Sequence, residues 1–190
     1  MKKLSFVFGI LVFLSLGAFY LGLFQKIDIA QGETGSYTVV YDTLRGKYNG
    51  VGPIMDNIYE DLKADGIETT RGFGIYLDNP EIVEADQLRS IAGSVIEEKD
   101  LEKLNALGEK YKILEIESGN MITTEFPFKG KMSVFASLMK VYPAIMKKLE
   151  AEHMETTAIM ELYDIPNKKM YFFIETDGET FAKTVAPLFE

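Results

Sequence analysis

Thr157-Ala158-Ile159-Met160-Glu161-Leu162-Tyr163 and Lys169-Met170-Tyr171-Phe172-Phe173-Ile174-Glu175 are two short runs separated by five residues. Both are rich in β-branched, aromatic and long apolar side chains and both alternate, which predicts a pair of β-strands. Successive side chains on a strand point to opposite faces. Ala158, Met160 and Leu162 therefore form one apolar set, suited to packing beneath helices, while Thr157, Ile159, Glu161 and Tyr163 point the other way. Assigning Met170, Phe172 and Ile174 to the covered set places Tyr171 and Phe173 on the open face with Glu161.

The same signature occurs earlier in the chain. Gly72–Leu77 predicts a strand with Phe73, Ile75 and Leu77 towards the core and Gly72, Gly74 and Tyr76 on the open face. The letters repeat as well. Arg45-Gly46-Lys47 aligns with Lys129-Gly130-Lys131 at an offset of 84, and Glu68-Thr69-Thr70 with Glu155-Thr156-Thr157 at 87; Ile75-Tyr76 then falls on Leu162-Tyr163. Ordered matches of this kind indicate an internal duplication in which Gly74 is the counterpart of Glu161. Each half reads strand, helix, strand, strand. The first half has strands at Tyr37–Leu44, Gly72–Leu77 and Leu88–Ile96. Its helix opens at Pro53, carries Ile54, Ile58, Tyr59 and Leu62, and stops at Gly66. The second half adds a strand at Met121–Phe128 and a helix at Met132–Glu150 with the stripe Val134, Phe135, Leu138, Val141, Ile145, Leu149. Glu97–Tyr111 predicts a short surface helix between the halves. The expected fold is α+β: duplicated βαββ units forming one antiparallel sheet with helices on one face, preceded by a single transmembrane helix.

That transmembrane expectation rests on residues 4–24, of which 16 of 21 are apolar. A helix of this length spans roughly 30 Å, the thickness of a bilayer's hydrocarbon core. The run is longer than the apolar part of a cleaved signal peptide, which favours an anchor. Residues 1–3 are a basic flank, residues 25–36 a polar linker, and residues 37–190 the domain. Lys2 and Lys3 outweigh Lys26, so the expected topology is single-pass, with the N-terminus cytoplasmic and the domain outside.

Composition narrows the chemistry. The 190 residues carry a net charge of −9; without Lys2 and Lys3, 18 basic side chains face 29 acidic ones, a balance of −11. An acidic domain repels phosphate backbones, so no nucleic-acid partner is expected. With no Cys and one His, there are no disulfides, thiolate nucleophiles, Cys/His zinc sites or Ser–His–Asp triads. No metal or cofactor is expected. Glu81, Glu84 and Asp86 read as a solvated loop with Asp86 near Arg89, Glu97–Glu102 as acids favouring a helix N-terminus, and His153 as a surface residue near a helix C-terminus. Gly46, Gly50 and Gly52 lack the P-loop pattern and suit a turn. The candidate site is the open face, where Tyr76, Tyr163, Tyr171 and Phe173 gather around Glu161, with Gly74 leaving space. Aromatic walls and one acid suit flat or cationic apolar molecules.

Gly46-Lys47-Tyr48 with Val51-Gly52-Pro53, then Gly74-Ile75-Tyr76-Leu77-Asp78-Asn79-Pro80, Arg89 with Gly93, and Glu161-Leu162-Tyr163 resemble the GyrI-like small-molecule-binding domain family. That family includes gyrase-inhibitory proteins and the effector-binding domains of multidrug-responsive activators. Asp78-Asn79-Pro80, Val83, Asp86, Arg89, Gly93-Ser94, Phe126-Pro127 and Pro143-Ala144 are most similar to its membrane-anchored testis-expressed subgroup of endoplasmic-reticulum turnover receptors. The resemblance spans about residues 37–175. It implies two βαββ units, a ligand groove between them, and Glu161 at the base of that groove. Some members hydrolyse strained compounds with such a Glu, but enzymatic members usually place a Trp in the groove and this chain has none. The leading expectation is a membrane-tethered module that captures amphipathic or cationic apolar ligands around Glu161. The alternatives are a hydrolase using Glu161 as acid or base, and an interaction module with an envelope protein partner.

Overall fold

A computed structural model describes residues 2–190, with side chains from Phe6 onward. The side chains of the basic flank (Lys2, Lys3) and the first side chains of the expected anchor therefore lie outside the described residues. The elements are α1 (Lys2–Tyr20), β1 (Ala30–Glu33), β2 (Tyr37–Arg45), α2 (Val51–Ala64), β3 (Arg71–Tyr76), β4 (Arg89–Ile96), α3 (Leu101–Ala106), β5 (Ile113–Ile116), β6 (Asn120–Pro127), α4 (Lys131–Ala151), β7 (Ala158–Asp164), β8 (Lys169–Glu175) and α5 (Phe181–Val185). All eight strands form one antiparallel sheet in the order β1-β6-β8-β7-β3-β4-β2-β5.

That order is symmetric about its middle. β3 pairs with β7, and at the centre of the seam Gly74 stands directly opposite Glu161. Counterparts at an offset of 87 thus face each other across a pseudo-twofold axis, as the duplication requires. Each half is larger than expected, however: a short strand precedes each βαββ unit. β1 of the first half pairs with β6 of the second, and β5 of the second pairs with β2 of the first. The halves exchange their first strands, and each covers an edge of the other. β1 lies within the expected linker, which is consequently not a free tether. Ile27 and Ile29 pack against the core beneath α4, and Thr34 N–H donates to Gly119 O at 3.0 Å.

The two faces also differ from the sequence reading. Residues directly opposite in an antiparallel pair share a face. The β7–β8 register sets Glu161 against Phe172 and Leu162 against Tyr171. Glu161 therefore shares its face with Met170, Phe172 and Ile174, and this face is the one beneath the long helices, where Ile159, Phe172 and Ile174 pack with Val141, Ile145 and Leu149 of α4. Tyr171 and Phe173 lie on the other face with Met160 and Leu162. That face is not open, because α5 folds onto it and buries Phe181 and Val185 against Phe73, Ile75 and Met160. The helices are thus on both faces. α5 is held by the buried Glu175 carboxylate, which accepts the N–H groups of Thr180 and Phe181, each at 2.6 Å, and of Ala182 at 2.9 Å.

Helix termini explain where the elements stop. Gly22 (φ +80°) closes α1 with Gly22 N–H on Phe19 O and Leu23 N–H on Ala18 O, a Schellman pair. α1 accordingly ends at Tyr20, short of the expected end of the anchor at Phe24. Among the described residues no helix is long and apolar enough to cross a membrane. Gly66 caps α2 in the same way, and its counterpart on α4 is His153, a non-glycine residue at φ +54°. Left-handed backbone at an L-residue costs roughly 1–2 kcal/mol. His153→Gly is therefore expected to stabilise the protein by about 1 kcal/mol, read as a rise in thermal midpoint. In contrast, a Cβ on Gly93 would stand 1.9 Å from Val40 O. Gly93→Ala is expected to cost about 2 kcal/mol or more, because backbone of the adjacent strand must move; an unchanged midpoint would contradict that geometry.

Candidate functional site

The cleft is built on the seam. β3 and β7 form its floor, and α2 and α4 stand on either side as walls. Its volume is about 930 Å³. Val51, Met55 and Tyr59 of α2 face Val134, Leu138 and Met146 of α4 across it. The site is thus on the helix-covered face, between the helices, and not on an uncovered one.

Glu161 sits at the base with 5% exposure. Three tyrosine hydroxyls converge on it: Tyr142 Oη donates to Oε1 at 2.6 Å, Tyr163 Oη donates to Oε2, and Tyr76 Oη approaches Oε2 at 3.4 Å. Tyr76 and Tyr163 are counterparts at the offset of 87, each two residues beyond the seam pair, so both hydroxyls reach the same point. The aromatic shell continues outward. Tyr48 meets the Tyr76 ring edge-on at 4.8 Å between centroids, Phe128 meets Tyr163 at 5.9 Å, and Tyr142 meets Phe172 at 6.1 Å.

Burial raises the pKa of Glu161; the hydrogen bonds from Tyr142, Tyr163 and Tyr76 oppose this without cancelling it. The same burial, and then the Glu161 charge, push the three tyrosines well above their usual range, so they remain donors. Burial lifts Tyr48 to about 12. The other charged side chains lining the cleft have ionic partners: Asp56 with Lys131, Arg71 with Glu97, Asp78 with Arg89. Among the described residues Glu161 alone on this lining has hydroxyls and no counter-ion.

The Asp78-Asn79-Pro80 motif and Arg89 serve the rim. Arg89 Nη2 and Nε donate to the Asp78 carboxylate at 2.8 and 3.0 Å, and Arg89 N–H adds a bond at 2.7 Å. Tyr48 Oη donates to Asp78 O at 2.8 Å and accepts from Asp78 N–H at 3.1 Å. This loop thereby fixes Tyr48 against Tyr76. The partner of Arg89 is Asp78, in place of the expected Asp86.

Of the expected site residues, the structure brings Tyr76, Tyr163 and Gly74 to Glu161 and leaves Tyr171 and Phe173 on the opposite face. There these two rings stack at 6.4 Å and line a smaller groove of about 420 Å³ with Tyr37. Gly74 does leave space, but Tyr76 uses it: a Cβ there would stand 2.9 Å from Tyr76 Oη. Tyr142, Tyr48 and Phe128 join the site without having been singled out by the sequence pattern. Tyr142 lies four residues beyond Leu138 on the wall of α4, a helical spacing that carried the signal. No group of acids or His suited to a metal occurs among the described residues.

A two-fold α+β sheet carrying one buried acid in an aromatic cleft between paired helices defines a small-molecule-binding fold. The pattern of the family described as GyrI-like small molecule binding domain matches residues 33–173, and the chain belongs to that family. It is 24% identical over 164 residues to human testis-expressed protein 264, covering 81% of this chain and 51% of that one, so it spans about half the length of this curated relative. The fold is also that of the EcmrR C-terminal domain (TM-score 0.51, 14% identity, 79% of this chain and 98% of that one). A second similar structure is SAV2435 bound to tetraphenylphosphonium (TM-score 0.51, 11% identity, 81% of this chain and 95% of that one).

Tyr142→Phe removes a hydrogen bond that holds the Glu161 pKa down. The carboxyl titration midpoint, already above the ordinary 4.5, is expected to move higher still. Infrared detection of the protonated carboxyl, assigned by its loss in Glu161→Gln, measures this; a downward move would contradict the network.

Proposed function

We propose that this protein is a membrane-tethered small-molecule-binding module that captures amphipathic or cationic apolar ligands in the cleft around Glu161. The observation that carries the reading is the unpaired acid beneath apolar walls. An organic cation brings both the missing counter-charge and the apolar surface that the walls of α2 and α4 bury, and the tyrosine faces add cation–π attraction. SAV2435, with the same fold, is bound to tetraphenylphosphonium, which makes that cation the natural probe. Although α1, over its described residues, is not long and apolar enough to cross a membrane, a tether that lies in one is supported by its Phe6, Phe8, Leu11, Phe13 and Phe19, which are all exposed. In water such a surface is unfavourable; in a bilayer it is not.

Ionised Glu161 attracts a cation and protonated Glu161 does not. Because its pKa is raised, affinity is expected to climb with pH from the ordinary carboxylate range upward and level off once Glu161 is ionised. Glu161→Gln is expected to weaken tetraphenylphosphonium binding by roughly tenfold or more and to flatten this pH dependence. Calorimetric titration of the full chain in detergent checks both. Affinity that is unchanged in Glu161→Gln would remove the acid from the mechanism.

A second reading, a hydrolase with Glu161 as general acid or base, is favoured by the raised proton affinity of that carboxyl. It requires a substrate or water to reach a Glu161 oxygen, and Oε1, which accepts only the Tyr142 hydroxyl, keeps a second acceptor site for it. Turnover of an activated ester, lost in Glu161→Gln, would establish it; binding without turnover excludes it for that substrate.

A further inference from the structure

The two walls of the cleft are not equivalent on their outer sides. α2 presents Asp56, Glu60 and Asp61 to solvent. α4, its counterpart, presents Met132 (63% exposed), Phe135 (61%), Met139 (60%) and Met146 (43%). At 3.6 residues per turn these four fall in one stripe about 60° wide, reaching from the first turn of α4 almost to Glu150. Met146 of this stripe also lines the cleft, as does the neighbouring Leu138, so the stripe is its outer lip.

The charge around this lip is also unusual. In a chain of net charge −9, residues 126–149 hold five lysines (Lys129, Lys131, Lys140, Lys147, Lys148) and no acid. On the helix, Lys131 flanks the apolar stripe on one side and Lys140 and Lys147 on the other. Neither Lys140 nor Lys147 has an ionic partner among the described residues. An apolar helix face bordered by lysines is the pattern of helices lying in the headgroup layer of anionic membranes.

The position of α4 relative to α1 supplies the third observation. After the Gly22 turn, Leu21 and Leu23 pack on the core beneath α4. Lys129, two residues before α4 begins, donates to Tyr20 O at 2.5 Å and lies 4.2 Å from the centroid of the Tyr20 ring. No free spacer separates the apolar helix from the basic one, and a bilayer holding α1 has the first turn of α4 at its surface.

We propose that the outer stripe of α4 docks on an anionic lipid surface, so that the cleft takes its ligand from the headgroup layer. This deepens the tether reading and rests on α1 lying in the bilayer. Met-rich apolar surface adapts to irregular partners, and a lip shared between lipid and cleft gives an amphipathic molecule a continuous apolar path to Glu161.

The chain has no tryptophan, so Phe135→Trp and, separately, Phe8→Trp each place a sole indole in the full chain, one reporting on α4 and the other on α1. Both variants are reconstituted with phosphatidylcholine vesicles, with or without phosphatidylglycerol, carrying brominated acyl chains as quencher. The expected result is a blue-shifted α4 reporter quenched in the phosphatidylglycerol vesicles. Quenching should be much weaker in phosphatidylcholine alone and after Lys131→Glu, Lys140→Glu and Lys147→Glu combined. An α4 reporter left unquenched while the α1 reporter is quenched would overturn the lip proposal and leave the tether intact. The reverse pattern, α1 unquenched and α4 quenched, would overturn the tether and leave the lip. A blue-shifted α4 reporter that lipid does not quench, with a doubled mass by light scattering, would show that a second copy covers the stripe and would overturn the proposal. Quenching indifferent to phosphatidylglycerol and to the three charge reversals would overturn it as well.

Discussion

The seam between β3 and β7 is the constraint on which the rest of the structure depends. Each half brings a few strands and one long helix, too little sheet to stand alone with two open edges. Pairing Arg71–Tyr76 with Ile159–Asp164 makes one sheet of the two, and the exchanged first strands close what would otherwise be edges beside β2 and β6. The seam's register then decides everything above it. With Gly74 opposite Glu161, Tyr76 and Tyr163 are carried to matching positions on either side of the axis, and α2 and α4 are spaced as walls.

A residue on the axis of a duplicated fold faces its own counterpart. Directly opposed Cβ atoms in an antiparallel pair are only about 5 Å apart. Two glutamates there would place like charges side by side in a site shielded from water, and one would be forced to hold its proton. One Glu and one Gly avoid this. The acid takes the axis, and the glycine's vacant volume admits the Tyr76 ring, whose hydroxyl supports the same acid. The walls break symmetry likewise, with Tyr142 on α4 where α2 has Met55. Duplication supplies the frame, and function is carried by the positions where the copies differ.

Much of this was legible in the chain. The offset letters disclosed the duplication, the strand and helix periods marked the main elements, and Glu161, Tyr76 and Tyr163 emerged as a set. What failed has a common physical origin. Nearly every residue of β7 and β8 is buried, because α5 covers the face that α4 does not. Alternation identifies a solvent face only when there is one, so the pattern leaves the parity of β8 relative to β7 undetermined, and Tyr171 and Phe173 fall on Glu161's face only if the wrong parity is chosen. The four-residue strands β1 and β5 have too few positions for a period, and β1 (Ala-Gln-Gly-Glu) has no strand-forming composition at all. Tyr142 belongs to a helix stripe whose neighbours are core residues, and its hydroxyl reveals its purpose only once the axis is placed.

The cleft's floor and walls consequently do different work. The floor is strand backbone locked into a ladder, with Gly93 wedged against Val40 O, and it fixes one carboxylate and three hydroxyls in place. The facing walls are helix surfaces carrying Met55, Val134, Leu138 and Met146, flexible or aliphatic groups without directional demands. A site with a rigid charge and compliant apolar walls selects for charge and size before shape. If the ligand is an organic cation, as proposed, such a site discriminates sharply against neutral and anionic analogues, which bring no counter-charge to the buried acid, and weakly among cations of similar bulk, since a methylene more or less against adaptable side chains changes binding by only about 1–3 kcal/mol. On the proposed reading, breadth of ligand and strictness of charge both follow from the same architecture, a duplicated sheet with one acid and one glycine on its axis.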